Sequence, residues 1–379
     1  MRLVSVALLL LAGIFAGAQL GKIAPLVGWY RDAGFSLVLV GWLTSAIGLF
    51  VALCALPVGW AVDVAGARLS TALGAVALAA GALALPFLVD PAPILATRLV
   101  EGVGYVVLVV SLPALLAAIA LPQWRATVLA LWNCFVPVGY AVSDLSAQAV
   151  IPAYGPRGFL LVMAAGFVAF AIVGVVASLT VSVDRGRAAG QRASIADTLN
   201  RNVVVAALGF GLFVIQTLAF LAFMPARVED GHVLLLSPGL IALATPLGNV
   251  LAGVLVRGAG ARAVAIMAAA AFAVTALTAW PAFTAGPAVA TVAALLFMVA
   301  GGFVSSALFA VLPVIVGPRG SVSIAIGLAA QAGGLGTFFG PPLAGLVIEA
   351  AGWSGLGLAL SLIGIGAAAL VVAGMRRPA

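Results

Sequence analysis

Charge is what this sequence lacks most. Only 7% of its 379 residues are Asp, Glu, Lys or Arg, against 65% hydrophobic. A soluble domain keeps about a quarter of its residues charged. A water-facing surface is therefore excluded, and a mean hydropathy of +1.31 points to many membrane spans of about 20 residues. Histidine occurs once and cysteine twice, with Cys54 and Cys134 inside apolar runs; these read as packed thiols and support neither a disulfide nor a metal site. No G-x-x-x-x-G-K-S/T phosphate loop is present, so ATP-driven pumping has no support. Without a Ser/His/Asp constellation or a His/Cys/carboxylate cluster, an enzyme has none either, and no cofactor is expected. Short alternating strands are missing, which removes a β-barrel. The net charge of +7 is not gathered into a patch, as nucleic-acid binding would need.

What the sequence does have is long apolar runs. Twelve can be placed, at 3–28, 36–58, 69–89, 92–120, 126–150, 158–181, 202–224, 234–256, 263–283, 287–316, 322–349 and 353–374. The first imitates a secretory signal, with Arg2 and Ala16-Gly17-Ala18, but the apolar run continues far enough to span. Gly13, Gly17 and Gly21 give it a small-residue face for helix packing, and it is read as helix 1.

Twelve spans put both termini on one side. One set of loops and ends carries Arg2, Arg68, Arg125, Arg185, Arg187, Arg192, Arg201, Arg257, Arg262, Arg319, Arg376 and Arg377; the other carries Arg31, Arg157 and Arg227. This asymmetry predicts cytoplasmic termini in a cytoplasmic (inner) membrane. Asp32, Asp90, Glu229, Asp230 and Glu349 lean outside, and Trp29, Trp60, Trp124, Trp280 and Trp353 stand at predicted helix ends, as an aromatic belt does.

The polar stretch 183–201 divides the chain into halves of six spans, 1–182 and 202–379, which echo each other at a nearly constant offset. Gly59, Asp63, Gly66 and Arg68 of GWAVDVAGAR recur as Gly253, Arg257, Gly260 and Arg262 of GVLVRGAGAR. Gly102 to Pro113 matches Gly302 to Pro313 in spacing, and YGPRGF opening span 6 is echoed by AGWSGL opening span 12. Two parallel six-helix repeats point to a transporter with its site between them.

Gly59, Asp63, Gly66 and Arg68 fit the pattern G-x-x-x-D-x-x-G-x-R, and Leu95, Arg98, Glu101, Gly102 and Gly104 follow with an arginine before a glycine-rich turn. On these residues the chain resembles the major facilitator superfamily over essentially its whole length. It departs from the pattern at Val64, where a basic residue is usual, and lacks the helix 5 antiporter pattern; a G-x-x-x-G-P-P form stands instead at Gly336, Gly340, Pro341 and Pro342. The resemblance implies an all-α polytopic membrane protein of twelve transmembrane helices in two pseudo-symmetric six-helix bundles. It places helices 1, 4, 7 and 10 around the cavity and helices 3, 6 and 12 towards lipid. It also makes Gly59, Asp63, Gly66 and Arg68, with Arg257 and Arg262 in the second copy, parts of a cytoplasmic gate.

Charges inside a bilayer cost about 2.5–3.5 kcal/mol each on insertion scales and default to functional candidates. Four are placed there: Lys22, Arg98, Glu101 and Asp144. Arg98 and Glu101 share one helix face, three residues apart, with Tyr105 beyond. Asn133, Tyr140, Asp144 and Gln148 form a stripe on helix 5, and Gln19 stands three residues before Lys22. The second half offers only neutral groups: Gln216, Ser305, Ser306 and Gln331. Lys22 and Arg98 are expected to attract an anion, with Gln19, Asn133, Tyr140, Gln216 and Gln331 as further substrate contacts, and Glu101 or Asp144 to exchange a proton. Three blander readings stand beside this: an intrahelical Arg98–Glu101 pair that only aids insertion, a Lys22 that snorkels outward, and an Asp144 near the interface or paired with Lys22. His232 is placed in an outer loop.

The expected function is secondary transport of a small organic anion by proton symport, by a monomer whose partners are its substrate, protons and the lipid bilayer. Efflux of a drug or metabolite is the alternative within transport, and a non-transporting receptor or assembly partner the alternative outside it.

Overall fold

Inside a bilayer each span must satisfy its own backbone, and this chain does so with helices. The computed structural model describes residues 2–121, 124–179, 195–317 and 320–375; Arg185, Arg187, Arg192, Arg319, Arg376, Arg377 and most of 183–201 lie outside them. Among the described residues, ten continuous stretches are long and apolar enough to cross a membrane. Helices 1 (Leu3–Asp32), 2 (Leu37–Val62), 3 (Ala67–Phe87), 4 (Pro91–Ile119), 7 (Arg201–Glu229), 8 (Pro238–Leu255), 9 (Ala261–Thr284) and 10 (Pro287–Ile315) are single. The other two, Phe135–Leu179 and Val322–Gly374, are each a pair. Gly155 (φ 67°, ψ 179°) and Gly352 (φ 67°, ψ −171°) turn the chain back on itself, in a conformation that a Cβ would penalise. Both arms then meet one partner helix. Gly17 approaches Phe135 while Gly166 approaches Phe15 on helix 1; Gly336 approaches Gly211 while Gly364 approaches Gln216 on helix 7. The arms are helices 5 (135–154), 6 (156–179), 11 (322–351) and 12 (353–374), and the expected twelve helices are present.

Helix starts follow their local chemistry. Ser36, Asn200, Ser237 and Ser321 accept from the backbone N–H three residues on, whereas helices 4 and 10 open on prolines, whose missing N–H costs nothing there. Three spans are less regular than their sequences predict. Helix 1 breaks after Gly21 and resumes through a 3₁₀ turn at Ala24–Leu26 containing Pro25. Helix 2 tightens at Ala46–Gly48, and helix 8 breaks between Ala242 and Thr245, just before Pro246. The predicted start of span 5 is a separate short helix, Arg125–Trp132.

Helix 1 is an integral packing element, with Ala16 and Ala18 buried. Its small face meets helix 5 and the short helix before it: Gly13 faces Trp132, Gly17 the Phe135 carbonyl and Gly21 the Tyr140 ring. The repeat reaches down to single hydrogen bonds. Gln19 Nε2 donates to the Met163 carbonyl at 2.9 Å and Gln216 Nε2 to the Leu360 carbonyl at 2.7 Å, 144 positions apart in both cases. Gly34 and Gly231, which end helix 1 and follow helix 7, share φ near +90°, at 87° and 91°.

Twelve crossings return the chain to the end where it began; the opposite end is here called distal. Distally the halves are sealed together. Arg31 pairs with Asp230 at 2.9 Å, Glu349 accepts from the backbone N–H of Leu37 at 2.6 Å, and Asp144 accepts from that of Gly239 at 2.8 Å. One apolar cluster runs from the first half through this seal into the second, where it includes Phe220, Phe283 and Leu356. The terminal end of the second half has its own cluster, around Val203, Val264, Leu308 and Val371. Nearer the terminal end the halves still touch, as at Leu56 against Gly327 and at Asn249 Nδ2, 3.1 Å from Cys134 Sγ.

Candidate functional site

Where helix 1 breaks, its last regular turn presents Gln19 and the following turn presents Lys22; helix 4 brings Arg98 and Glu101 against them. Lys22, Arg98 and Glu101 are all fully buried. Lys22 Nζ donates to Glu101 Oε1 at 2.5 Å and to Gln19 Oε1 at 2.8 Å. Arg98 Nη1 donates to the other Glu101 oxygen. The guanidinium also reaches backbone carbonyls: Leu43 at 2.7 Å, Gln19 at 2.9 Å and Thr44 at 3.3 Å. These carbonyls lie near the irregular turns of helices 1 and 2, so Arg98 ties three helices together where their own hydrogen bonding is weakest.

Two of the blander readings are thereby corrected. Lys22 does not snorkel, because its ammonium is held inside by two acceptors. Arg98–Glu101 is not an isolated intrahelical pair but two sides of a triad with two cations and one carboxylate. The triad has no counterpart. At the corresponding places in the second half stand Ala219, Met298 and Gly301, all buried. One half builds the same helices without a single charge there, so the fold does not require the triad.

Three of the four tyrosines, Tyr30, Tyr105 and Tyr140, lie within electrostatic range of Arg98. The Tyr140 hydroxyl is buried with no hydrogen-bond partner among the described residues. Tyr140 lines a small cavity of about 10 Å³ together with Pro25, Asp144, Phe220, Met224 and Gly239, wide enough for about one water. Asp144 belongs to that wall and does not pair with Lys22. Its carboxylate accepts from Gly239 N–H at 2.8 Å and Gln148 Nε2 at 2.7 Å.

The remaining predicted positions separate by location. Asn133 is half-buried at the break before helix 5, next to Cys134, and Gln331 half-buried on helix 11. Gln216 is not free to face a substrate: its amide donates to Leu360 O and lies 3.4 Å from the Thr275 hydroxyl, which holds it between helices 9 and 12. Ser305 is buried and Ser306 half-buried on helix 10. Burial holds the His232 imidazole below the usual histidine range, and its Nε2 lies 2.9 Å from Ala282 O in the distal loop.

Of the gate residues, Gly66 turns between helices 2 and 3 with φ 88°, and Gly59 has no neighbour within 4 Å of where a side chain would start. The Asp63 side chain lies outside the described set. Arg68 Nε and Nη2 are buried without a hydrogen-bond partner among the described residues. Arg257 is exposed. Arg262 donates to the carbonyls of Val372 and Met375, so it fastens helix 9 to the end of helix 12 within its own half instead of bridging the halves.

Sequence reasoning missed several polar groups. Ser45, Thr245 and Asn249 carry buried oxygens without hydrogen-bond partners among the described residues, Glu349 read in sequence only as a charge leaning outside, and Tyr30 was not singled out.

Residues 9–335 match the sequence family described as the Major Facilitator Superfamily. No curated protein sequence matches. Two similar solved structures are a bacterial homolog of the human lysosomal transporter Spinster, inward-facing and unoccupied, and the xylose transporter XylE from E. coli, inward open. Each is 15% identical with a TM-score of 0.76. Both alignments cover 100% of this chain, with 99% of the first neighbour and 97% of the second.

Proposed function

The chain belongs to the major facilitator superfamily and is a multi-pass membrane transporter rather than an enzyme, and on that premise we propose that it moves a small organic anion together with protons by alternating access. The observation that carries this reading is the buried triad of two cations and one carboxylate, absent from the matching half. While ionised, Glu101 occupies both cations and competes with any anionic substrate for them. Once protonated, it leaves Lys22 and Arg98 short of counter-charge in a low-dielectric site, and a substrate carboxylate restores the balance. Proton and anion then favour each other's binding, and linkage makes that coupling reciprocal. Gln19 positions Lys22, while Asn133, Tyr140 and Gln331 supply neutral hydrogen bonds. Gln216, committed to helix 12, is withdrawn from this role.

The halves 1–182 and 202–379, joined by 183–201, act as the two arms of the rocking motion. Asp63, Gly66 and Arg68 form the latch at the terminal end, which faces the cytoplasm. Single cysteines at 190 or 376, in a background free of Cys54 and Cys134, are expected to react with impermeant reagent only from inside, and one replacing Tyr154 only from outside. The reverse pattern overturns the orientation.

Function is tested with purified protein in proteoliposomes carrying a pH gradient, against monocarboxylates, dicarboxylates, sugars and hydrophobic cations. Accumulation of a carboxylate that collapses with a protonophore is expected. Movement of hydrophobic cations with no carboxylate flux moves the assignment to efflux, and binding without counterflow moves it to a receptor.

A further inference from the structure

The distal seal is built largely from carboxylates, and two of them form a crossed pair. Asp144 on helix 5 accepts from the Gly239 N–H of helix 8, which belongs to the other half. Glu349 on helix 11 accepts from Leu37 N–H at 2.6 Å and Val38 N–H at 3.3 Å, at the start of helix 2 in the first half. Helices 2 and 8 are repeat partners, and so are 5 and 11. The backbones close up at glycines near these bonds. A side chain at Gly41 would meet Pro341 and Pro342 of helix 11, and one at Gly239 would meet Asp144 and Ala141 of helix 5. Each half thus holds the other by a carboxylate laid on backbone N–H groups, at a seam too tight for a side chain.

Neither carboxylate has a cationic partner among its hydrogen bonds. Asp144 faces Gln148 and Tyr140 on its own helix and the Ser237 hydroxyl on helix 8. Glu349, which is exposed, faces the start of helix 2. The other titratable groups of the seal are differently employed. Arg31 pairs with Asp230, Asp230 also accepts from Trp353, and Glu229 accepts from Gly28 N–H with Arg31 and Asp32 nearby. Arg227 donates to Phe283 O and His232 is bound to Ala282 O.

We propose that Asp144 is a proton-binding latch whose protonation from the outside releases its hold on the distal seal. A bond from N–H to an ionised carboxylate is about twice as strong as one to a neutral acceptor. A proton on Asp144 therefore weakens a contact that exists only in the closed state, and the proton shifts the population towards the open one. Acid outside then selects the conformation in which the transporter can load from outside. The inference rests on the proposed orientation and is independent of Glu101 as the coupling residue.

The test is a spin-label distance between cysteines replacing Tyr154 and Leu235, both exposed distally on opposite halves, in substrate-free protein in nanodiscs. Lowering the pH from about 7.5 to about 5 is expected to raise the long-distance population about five-fold. Asp144→Asn is expected to show that raised population at both pH values, with no further response. The readout is a distance in substrate-free protein and no transport is measured, which separates this inference from the transport reading. A pH response that survives Asp144→Asn belongs to another group of the seal, Glu349, Glu229, Asp230 or His232, and overturns the proposal, as does the absence of any response in the wild type.

Discussion

Glu101→Gln is expected to abolish proton-driven accumulation while substrate exchange persists. The carboxamide keeps the volume of the side chain but has one acceptor oxygen, so it can accept from only one of Lys22 and Arg98, which the ionised residue binds on separate oxygens, and its NH2 faces the other cation. What it removes is the titration. Because the uncharged amide stands for the protonated acid, the variant rests in the anion-recruiting state, and its affinity for a carboxylate substrate should rise. In counterflow without a pH gradient, labelled substrate should still equilibrate. With an inward acid gradient the accumulation ratio should fall to about one, since no proton is carried to drive it. Normal accumulation by this variant would move the proton site to Asp144, and Asp144→Asn would then have to abolish it. If both carboxamide variants accumulate normally, buried-carboxylate coupling is wrong.

Arg98→Ala is expected to damage the protein more broadly. The guanidinium is fully buried and reaches Glu101 and three backbone carbonyls on helices 1 and 2. Truncation leaves those carbonyls unpaired in an apolar interior, and removing one partner from a buried ionic network costs about 3–5 kcal/mol. Resistance to heat and denaturant in detergent should fall accordingly, and both exchange and accumulation should be lost. Arg98→Lys discriminates between charge and geometry: it restores the cation but cannot reproduce the fork that serves Leu43, Gln19 and Thr44 together. Partial recovery of anion binding with little recovery of stability is the expected result. Unchanged stability in Arg98→Ala would show that the network does not hold helices 1, 2 and 4 together.

Much of this arrangement could be read from the residues because the bilayer leaves few options. Spans, repeat and hairpin points follow from hydropathy and glycine spacing, and the Arg98–Glu101 pair follows from helical periodicity. What stayed hidden depended on irregular backbone and on direction around a helix. Lys22 joins the triad only because helix 1 breaks after Gly21, and a periodic pattern does not show where a break turns a side chain. Gln216 looked like a cavity residue because an amide in a span is costly wherever it points. Its repeat partner Gln19 makes the same kind of bond to helix 6, and the shared offset was the clue to a structural role. Glu349 looked like a charge that merely stays outside, since a carboxylate that reaches another helix's backbone carries no mark in its own sequence.

The turns at Gly155 and Gly352 have a mechanical consequence. A flexible loop lets two helices slide independently, but a single residue between 135–154 and 156–179 acts as a stiff elbow. Helix 5, which carries Asp144 at the seam, cannot tilt without dragging helix 6, and helix 6 is stapled to helix 1 through Met163 and Gln19. In the second half the same linkage runs from Glu349 on helix 11 through the elbow to helix 12 and, by Leu360 and Gln216, to helix 7. Force applied at either distal contact is therefore delivered as torque to a whole arm, which makes the stroke a swing of rigid levers with little play at the joints.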